Sequence, residues 1–569
     1  MGLAFSVFVG ALAIGSAQEE EVPDAGTGAY FPWVPNGSML DDMGPFYGAV
    51  TVQNLQTAQD DFQAVDLYFF PGVGENDQAW GDPVVVANVQ SAASVTLNAA
   101  DLGVPEPGSS VRVHAVDADS GVRWDSENNE FTGLPLDEEA MDAAEDDDDI
   151  FQDLDDVFGN IAGTVKNVSP LPSTSGKTSS DHTTVSGYSG FTQEQVVPTD
   201  DETHILPIVQ SNSGWNTVIR IASFAGERDP NATVSYTVTL YESGGQGAAG
   251  QSAGVFTGSI AGGEVEHIDI TADENIGEGF VGNAYITANA PIGAVAERYK
   301  VQDDMLLTNT SRQLDSMSDS QVAPLIFQNY NNWNSGISVA NLDEEDEATV
   351  NIAYVTPGGS QIGADQITIP ARGMEFVYTP ASQDLNVDGF VGAAVITSTD
   401  GQNIQVAVDQ VKYDGVGGDV GDAMSYVTEG ENAVAGDALA LPLVQKGNPG
   451  TGLGDTTGVQ FFNADAQNSI DFSIAFLDST GNFVAPTLTQ HTFIKVSLSG
   501  HQGYTLYTHN YSEMPAGFQG SLAVAEISGD GELAAVSNNV NYEVNGDGAT
   551  VFNLIRLVVE GDGEGTNER

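Results

Sequence analysis

A twelve-residue segment occurs twice in the chain, and its internal spacing is the strongest constraint on the fold. Residues 213–224 read SGWNTVIRIASF, and residues 331–342 read NNWNSGISVANL. Large apolar residues recur at every second position in both copies, which is the side-chain period of a β-strand. We therefore expect Trp215, Ile219 and Ile221, like their counterparts in the second copy, to share one buried face of a strand.

Weaker copies of the same strand predict four repeats. GAVTVQNL at residues 48–55 and TGVQFFNA at residues 457–464 keep the alternating apolar residues. A second alternating strand follows each copy and ends in Gly, Pro, Asp or Ser, which favour tight turns. A Gly-Phe-x-Gly turn recurs at Gly279, Gly389 and Gly517. Each repeat is therefore about a hundred residues of alternating strands, the size and pattern of an immunoglobulin-like β-sandwich.

The predicted fold class is all-β, with four tandem immunoglobulin-like β-sandwich domains and a short acidic helical insertion in the first. Looser stretches rich in Ser, Thr and Gly separate the repeats and are interpreted as linkers. The predicted segments are a signal peptide at 1–17, sandwich 1 at 18–168, a Ser/Thr-rich linker at 169–202, sandwich 2 at 203–303, a linker at 304–321, sandwich 3 at 322–416, a Gly/acidic linker at 417–437, sandwich 4 at 438–559 and a disordered tail at 560–569.

One acidic segment breaks the strand pattern. Residues 137–156 contain 12 acidic side chains in 20 positions, and apolar residues at helical spacing follow, beginning with Ile150 and Phe151. This spacing predicts a short acidic helix over about 137–158, preceded by a solvated run of Asp. The alternative is a segment that binds cations or a partner.

Composition limits the compartment and the partners. The first 17 residues contain an apolar run followed by small residues, which is typical of a secretory signal. The chain has no cysteine, so disulfides and thiolate chemistry are excluded. Lys plus Arg number 15 against 81 Asp plus Glu, a formal charge of −66. Nucleic acid is therefore a poor partner, and such a surface suits a saline or calcium-containing exterior.

Two short acidic turns are candidate calcium ligands. DLNVDG places oxygen-bearing side chains at Asp384, Asn386 and Asp388, like the first half of a calcium-binding loop. Val395 stands where that loop needs a bidentate Glu. DADSG at Asp117 and Asp119 is a similar fragment. An ordinary Asx-rich turn is the favoured interpretation of both segments, and calcium binding is the alternative.

Motifs for catalysis are weak, and the chain is predicted not to be an enzyme. GQSAG at residues 250–254 has the letters of a nucleophile elbow around Ser252, but it lies in an all-β repeat and not between a strand and a helix. No HExxH motif occurs, so zinc hydrolysis by that route is excluded. The fourth repeat combines two histidines and three tyrosines that suggest either a sugar-binding surface or strand-face packing: His501, Tyr504, Tyr507, His509 and Tyr511.

The export signal, the absence of cysteine, the low isoelectric point and the repeated WNTVIRI and GFVG motifs resemble bacterial surface-layer and other exported surface proteins built from tandem immunoglobulin-like domains. This resemblance implies a non-enzymatic structural protein of a cell-surface layer or extracellular matrix. Its partners would be copies of itself or other cell-surface components, with calcium as the bridging cation and without a membrane span. The alternative is an adhesin or polysaccharide-binding surface protein, whose partners would be glycans.

Overall fold

The computed structural model describes most of the chain. The described residues are 28–56, 63–75, 78–126, 130–132, 160–169, 184–192, 195–196, 203–225, 233–243, 250–272, 276, 279–314, 317–385, 387–413, 421–428, 433–447, 454–484, 493–541 and 547–557. The predicted signal peptide, the predicted acidic helix over 137–158, Asn386 and the predicted tail lie outside these residues.

The described residues are all-β, as predicted, with single-turn 3-10 helices between some strands. The strands of the first repeat are β1 (Gly28–Leu40), β2 (Met43–Asn54), β3 (Val65–Glu75), β4 (Gln78–Trp80), β5 (Val84–Val89), β6 (Ser94–Asn98), β7 (Gly108–Asp117), β8 (Arg123–Asp125), β9 (Glu130–Thr132), β10 (Ile161–Ser169), β11 (Thr184–Ser189) and β12 (Phe191–Thr192). Those of the second repeat are β13 (Thr203–Ser211), β14 (Asn216–Ser223), β15 (Thr233–Glu242), β16 (Ser252–Ala261), β17 (Val265–Asp269), β18 (Phe280–Ala288), β19 (Ile292–Lys300), β20 (Met305–Thr310) and β21 (Arg312–Gln313).

The last two repeats continue the same pattern. The third contains β22 (Ser320–Gln328), β23 (Trp333–Asn341), β24 (Ala348–Val355), β25 (Gln361–Ile369), β26 (Met374–Tyr378), β27 (Phe390–Ser398), β28 (Ile404–Tyr413) and β29 (Gly421–Val427). The fourth contains β30 (Ala438–Lys446), β31 (Thr456–Asn463), β32 (Ile470–Asp478), β33 (Phe483–Val484), β34 (Phe493–Leu498), β35 (Gly503–Tyr507), β36 (Phe518–Gly529), β37 (Leu533–Val540), β38 (Ala549–Asn553) and β39 (Ile555–Leu557). Across the described residues, no helix is long and apolar enough to cross a membrane.

The strand order recurs from repeat to repeat. In the third repeat one sheet has the order β22-β27-β24-β25 and the other β26-β23-β28-β29. The second sheet recurs as β17-β14-β19-β20 and as β35-β31-β37-β38, while in the first repeat both sheets join into one of ten strands. Counted along the third repeat, the first strand (β22) pairs with the sixth (β27), and the second strand (β23) pairs with the seventh (β28). An immunoglobulin domain pairs the first with the second and the seventh with the sixth, so the connectivity differs from the predicted one.

The repeated strand is buried as predicted, but its first tryptophan is buried in a different cluster from the isoleucines that follow it. Ile219 and Ile221 are fully buried in the apolar core between the two sheets of the second repeat. Trp215 instead packs against Met305 of its own repeat and against Val411 of the third repeat. The reason is that Trp215 precedes β14 and lies in a turn, where the two-residue alternation of a strand does not hold.

The repeats close into a ring and do not form a rod. Each one rests the outer face of its second sheet on the repeat before it, and the first rests on the fourth. Val218 and Tyr299 of the second repeat pack on Phe46 of the first, and Val411 and Ala423 of the third repeat pack on Trp215 of the second. Val540 and Val551 of the fourth repeat pack into the core of the third. Lys166 of the first repeat pairs with Asp455 of the fourth, which closes the ring. The Ser189 hydroxyl also donates to the Asn553 carbonyl at 2.8 Å. Each repeat keeps a main apolar core of its own within this ring.

Strands occupy the segments that composition predicts to be linkers. One strand of each repeat lies beside its counterparts around the middle of the ring, and we name these four the axial strands: β11, β20, β29 and β38. The first three fall within the Ser-, Thr- and Gly-rich stretches 169–202, 304–321 and 417–437. The strands themselves carry apolar side chains among the small polar ones, such as Val185 in β11 and Leu306 and Leu307 in β20.

A buried ion pair joins the second and third repeats at the axial strands. The Arg298 guanidinium binds Asp409 with two nitrogens, one of them at 2.7 Å, and it also donates to Asn309 at 2.6 Å. The Arg298 side chain is fully buried, and that of Asp409 is 10% exposed. Removing only one partner of such a buried pair strongly destabilises the fold, because the other charge stays buried without compensation.

We expect Arg298→Met to lower the free energy of unfolding by about 3–5 kcal/mol, because the Asp409 carboxylate would stay buried without its counter-charge. Lys495→Met is the matched control, since the Lys495 side chain is 78% exposed beside Glu526. Its effect should stay below about 0.5 kcal/mol. Urea unfolding measures the free energy of unfolding of both variants relative to the wild type. Equal losses in the two variants would contradict the assignment of Arg298 and Asp409 as a buried ion pair.

Candidate functional site

The first predicted calcium turn is only partly described. Asp384 and Asp388 lie between a 3-10 turn and β27, and the Asp388 carboxylate accepts a hydrogen bond from the Asn329 amide at 3.0 Å. Asn386, between them, lies outside the described residues. No group of three or more His, Asp and Glu side chains is placed to hold a metal ion in the described part of the chain. Calcium at this turn stays a prediction.

The second predicted calcium turn has the geometry of an Asx turn. The Asp117 carboxylate accepts the Asp119 backbone N–H at 2.9 Å, and the Ser120 hydroxyl donates to the Asp117 carbonyl at 2.7 Å. These bonds close the turn without a cation. Both residues lie at the end of β7, where the chain reverses direction.

Ser252 is the first residue of β16 and pairs with Tyr241 of β15. It is exposed on an antiparallel strand, whereas a nucleophile elbow holds its serine on a sharp turn from a strand into a helix. Nothing in this local geometry activates the hydroxyl. The prediction that GQSAG is a chance match agrees with this position.

The tyrosines and histidines of the fourth repeat do not form one surface. Tyr504 and Tyr511 pack against the apolar core of the repeat, and the Phe461 ring lies 6.4 Å from that of Tyr504. Tyr507 lies on the opposite face of β35, because it is three residues from Tyr504. The His509 ring lies 5.9 Å from Tyr507, while the His501 ring stacks on Phe462.

Charges are segregated between the inside and the outside of the ring. The structure describes 12 of the 15 Lys and Arg residues. Five of them are buried: Arg112, Lys166, Arg220, Arg298 and Arg312. Lys166, for example, pairs with Asp455 at 3.0 Å and donates to Asn539 at 3.0 Å. The few bases are thus used largely for internal contacts, and the exterior is left strongly acidic.

One buried carboxyl, that of Asp547, is where the four axial strands converge. It accepts backbone N–H groups of Leu306 in β20 at 3.0 Å and of Ala423 in β29 at 2.8 Å. The backbone carbonyl of Asp547 accepts the N–H of Val185 in β11 at 2.8 Å, and Asp547 lies two residues before the first residue of β38. The side chain is fully buried.

Burial raises the pKa of the Asp547 carboxyl well above its usual range, and the neighbouring Asp422 charge raises it further. The backbone N–H groups of Ala423, Leu306 and Ala549, which donate to the carboxyl, oppose this rise. Asp422 is itself held by the Lys412 ammonium at 3.1 Å and by the Gly548 N–H at 3.2 Å. The arrangement locks strands together and offers no open position for a substrate.

Sequence reasoning missed Asp547 and the Arg298–Asp409 pair. A signal was present: an aspartate stands at the start of an axial strand in three repeats, at Asp304, Asp422 and Asp547. The segments around them were interpreted as linkers, so this recurrence was not used. The pairing of Arg298 with Asp409 has no local signal, because 111 residues separate the two.

Comparisons with known proteins add little. No protein-family model matches the chain, and no curated protein matches it. Two solved structures of a mutant arabinofuranosyltransferase AftD from Mycobacteria, classes 1 and 2, are similar at TM-scores of 0.14 and 0.13 and 10% sequence identity. The matches cover 84% and 85% of this chain but only 38% and 37% of those chains. Similarity this low supports no conclusion about fold or activity.

The stability contributed by Asp547 should fall as the pH rises. A carboxyl whose pKa is raised by folding contributes fully below its unfolded pKa, about 3.9, and loses that contribution as the pH rises through the folded pKa. We expect the free energy of unfolding of the wild type, taken relative to Asp547→Asn, to decrease as the pH is raised from about 4. Urea unfolding at a series of pH values measures it.

Asp465 gives the control of opposite sign. Backbone N–H groups of Asn468 and Gln467 lower the pKa of the Asp465 carboxyl. Its contribution is therefore present above the unfolded pKa and is lost as the pH falls. Relative to Asp465→Asn, the wild type should gain stability with rising pH. If the stability of the wild type relative to each Asn variant changed with pH in the same direction for both residues, the assignment at Asp547 would be contradicted.

Proposed function

We propose that this protein is an exported, non-enzymatic structural component of a cell-surface layer or extracellular matrix, built from four β-sandwich repeats, and that it assembles with copies of itself. The observation that carries this proposal is the free edge of β16. This strand is ten residues long, reads SAGVFTGSIA and contains no charge and no proline. In a chain of net charge −66 such an edge is a place where two copies can approach without strong repulsion.

The β16 edge has the features of a pairing surface. It ends the sheet β16-β15-β18-β13-β21, and no further strand lies beyond it among the described residues. Val255 is 55% exposed, and Thr257 and Ser259 are exposed on the same face. Exposed backbone donors and acceptors of an edge strand readily accept another strand. Antiparallel pairing of β16 with β16 of a second copy, related by a two-fold axis, satisfies the backbone N–H and C=O groups of both edges.

The equivalent edges of the other repeats carry features that discourage pairing. β34 presents Lys495, which is 78% exposed. β25 carries Asp365, whose carboxylate accepts the Tyr354 hydroxyl at 2.7 Å. β5 is six residues long, and Asn88 within it has a positive φ of 58° beside a register shift. Charges, short strands and irregularities of this kind are the usual protection of sheet edges.

The acidic exterior predicts that assembly depends on cations. Because the bases are used largely inside the ring, copies that meet through β16 still bring their remaining acidic surfaces close together. Divalent cations such as calcium screen and bridge carboxylates more effectively than monovalent ones. Asp384, Asn386 and Asp388, with Asp117 and Asp119, remain the proposed ligands. An extracellular or cell-surface location supplies such cations and agrees with the predicted export signal.

We expect Val255→Lys to abolish self-association, because it places a charge in the middle of the uncharged edge. Sedimentation velocity over a range of protein concentrations measures the monomer fraction. Thr368→Lys on β25 is the matched control, since Thr368 is also exposed on an edge strand at the same position of the sandwich. A wild type that stays monomeric at every concentration, or equal loss in both variants, would count against the proposal.

Self-association of the wild type should increase on addition of millimolar calcium and decrease with a chelator. Sodium chloride at the same ionic strength should have a smaller effect, because monovalent ions screen carboxylates without bridging them. Light scattering and electron micrographs of the same samples report assembly. Indifference to calcium would remove the cation from the proposal and leave the β16 edge to be tested separately.

A further inference from the structure

The third repeat exposes aromatic side chains on one face of a sheet. Phe376 is 45% exposed on β26, and Tyr413 is 43% exposed at the end of β28. Strand register places both on the outer face of the sheet, together with Tyr378. Phe376 and Ala407 are both paired with Ser338, and Tyr413 lies six residues beyond Ala407 on the same strand. We name Phe376, Tyr378 and Tyr413 the aromatic strip.

The rings of the strip are held in place. A Cβ atom at Gly336 would lie 2.5 Å from the Phe376 ring, so that ring lies across the bare Gly336 backbone of the neighbouring strand. The Lys300 ammonium lies 5.4 Å from the centre of the Tyr413 ring and is paired with Asp303 at 2.6 Å. Rings fixed in this way lose little conformational entropy when a ligand binds.

The strip follows the cleft between two repeats. Met374, two residues before Phe376, is buried against Ile205 and Tyr285 of the second repeat. Tyr378 packs against Trp215 of the second repeat. Burial raises the pKa of the Tyr378 hydroxyl, and the neighbouring Tyr413 hydroxyl raises it further. The strip thus begins where the contact between the repeats ends, and Trp215 and Lys300 border it. Clefts between packed units are common positions for ligands.

The fold does not require these aromatic residues. The position of Phe376 is occupied by Thr96, His267 and Thr505 in the other three repeats, as their strand pairing shows. The position of Tyr378 holds Asn98, Asp269 and Tyr507. The same sheet therefore forms with polar side chains at these positions. Exposed aromatic residues that folding does not need are typical of binding surfaces.

We propose that the aromatic strip binds a neutral polysaccharide. The electron-rich faces of aromatic rings attract the weakly positive C–H groups on the flat side of a sugar ring. From Phe376 to Tyr413 the strip extends about 20 Å along the strands, at about 3.3 Å per residue, which accommodates several consecutive sugar units. The net charge of −66 repels anionic polymers, and Asp303 neutralises Lys300, so an uncharged glycan fits this surface best.

This binding site is independent of self-assembly through β16. It also differs from the surface that the sequence suggested in the fourth repeat, because it uses Phe376 and Tyr413 in place of Tyr504 and Tyr511. The full chain carrying Val255→Lys is therefore the background for the test, since it separates glycan binding from association between copies.

Affinity electrophoresis in native gels that contain hydroxyethyl cellulose, glucomannan or, as the anionic comparison, alginate tests the proposal. We expect retardation by at least one neutral polysaccharide and none by alginate. Phe376→Ala and Tyr413→Ala should each weaken binding about tenfold, which corresponds to the loss of one ring contact. Phe376→Tyr should retain binding because it keeps the ring.

Tyr47→Ala is the matched control, because Tyr47 is 45% exposed on β2 in the first repeat. It should leave the retardation unchanged, and circular dichroism should show the same fold in every variant. The proposal is overturned by the absence of retardation in both neutral gels. It is equally overturned if Tyr47→Ala weakens binding as much as Phe376→Ala does, or if neither strip variant weakens it.

Discussion

The convergence of four axial strands on the buried Asp547 carboxyl is the constraint on which the rest of the structure depends. A carboxyl has several acceptor positions, and here they satisfy backbone N–H groups of β20 and β29 that would otherwise be buried without partners. An unsatisfied buried N–H group destabilises a fold by about 1–3 kcal/mol. A single short side chain thereby fixes the relative position of segments up to 241 residues apart. The chain has no cysteine, so no disulfide contributes at the centre of the ring.

The ring explains how the chain uses its few basic residues. A base placed at a contact between repeats neutralises an acid that would be costly to bury alone, as Arg298 does for Asp409 and Lys166 for Asp455. Each base used in this way is absent from the exterior. Placing basic residues at the contacts between repeats therefore both closes the ring and leaves the surface acidic. The uncharged β16 edge and the aromatic strip then stand out as the regions through which such a surface can make close contacts.

Local periodicity predicted much of the fold, because the position of each strand depends on neighbouring residues. The two-residue alternation located β14 and β23, and the last three residues of each Gly-Phe-x-Gly segment are the first residues of β18, β27 and β36. Pairing between strands and contact between repeats depend on residues far apart in sequence, and these were not predicted. The axial strands are the clearest example. The stretches around them are rich in Ser, Thr and Gly, which is typical of linkers, and their contacts with strands of other repeats leave no mark in the local sequence.

Ring closure between the first and fourth repeats is the central claim, and a cross-link tests it most directly. The Gln519 amide donates to the Thr96 hydroxyl at 3.1 Å, although the two residues are 423 positions apart. The chain has no cysteine, so the double variant Thr96→Cys, Gln519→Cys introduces the only thiols. A short bis-maleimide, which spans more distance than a disulfide, should join the two thiols within one molecule of the dilute protein and raise its mobility in a denaturing gel. A chain that stays uncross-linked, or that is cross-linked only between molecules, would contradict the ring.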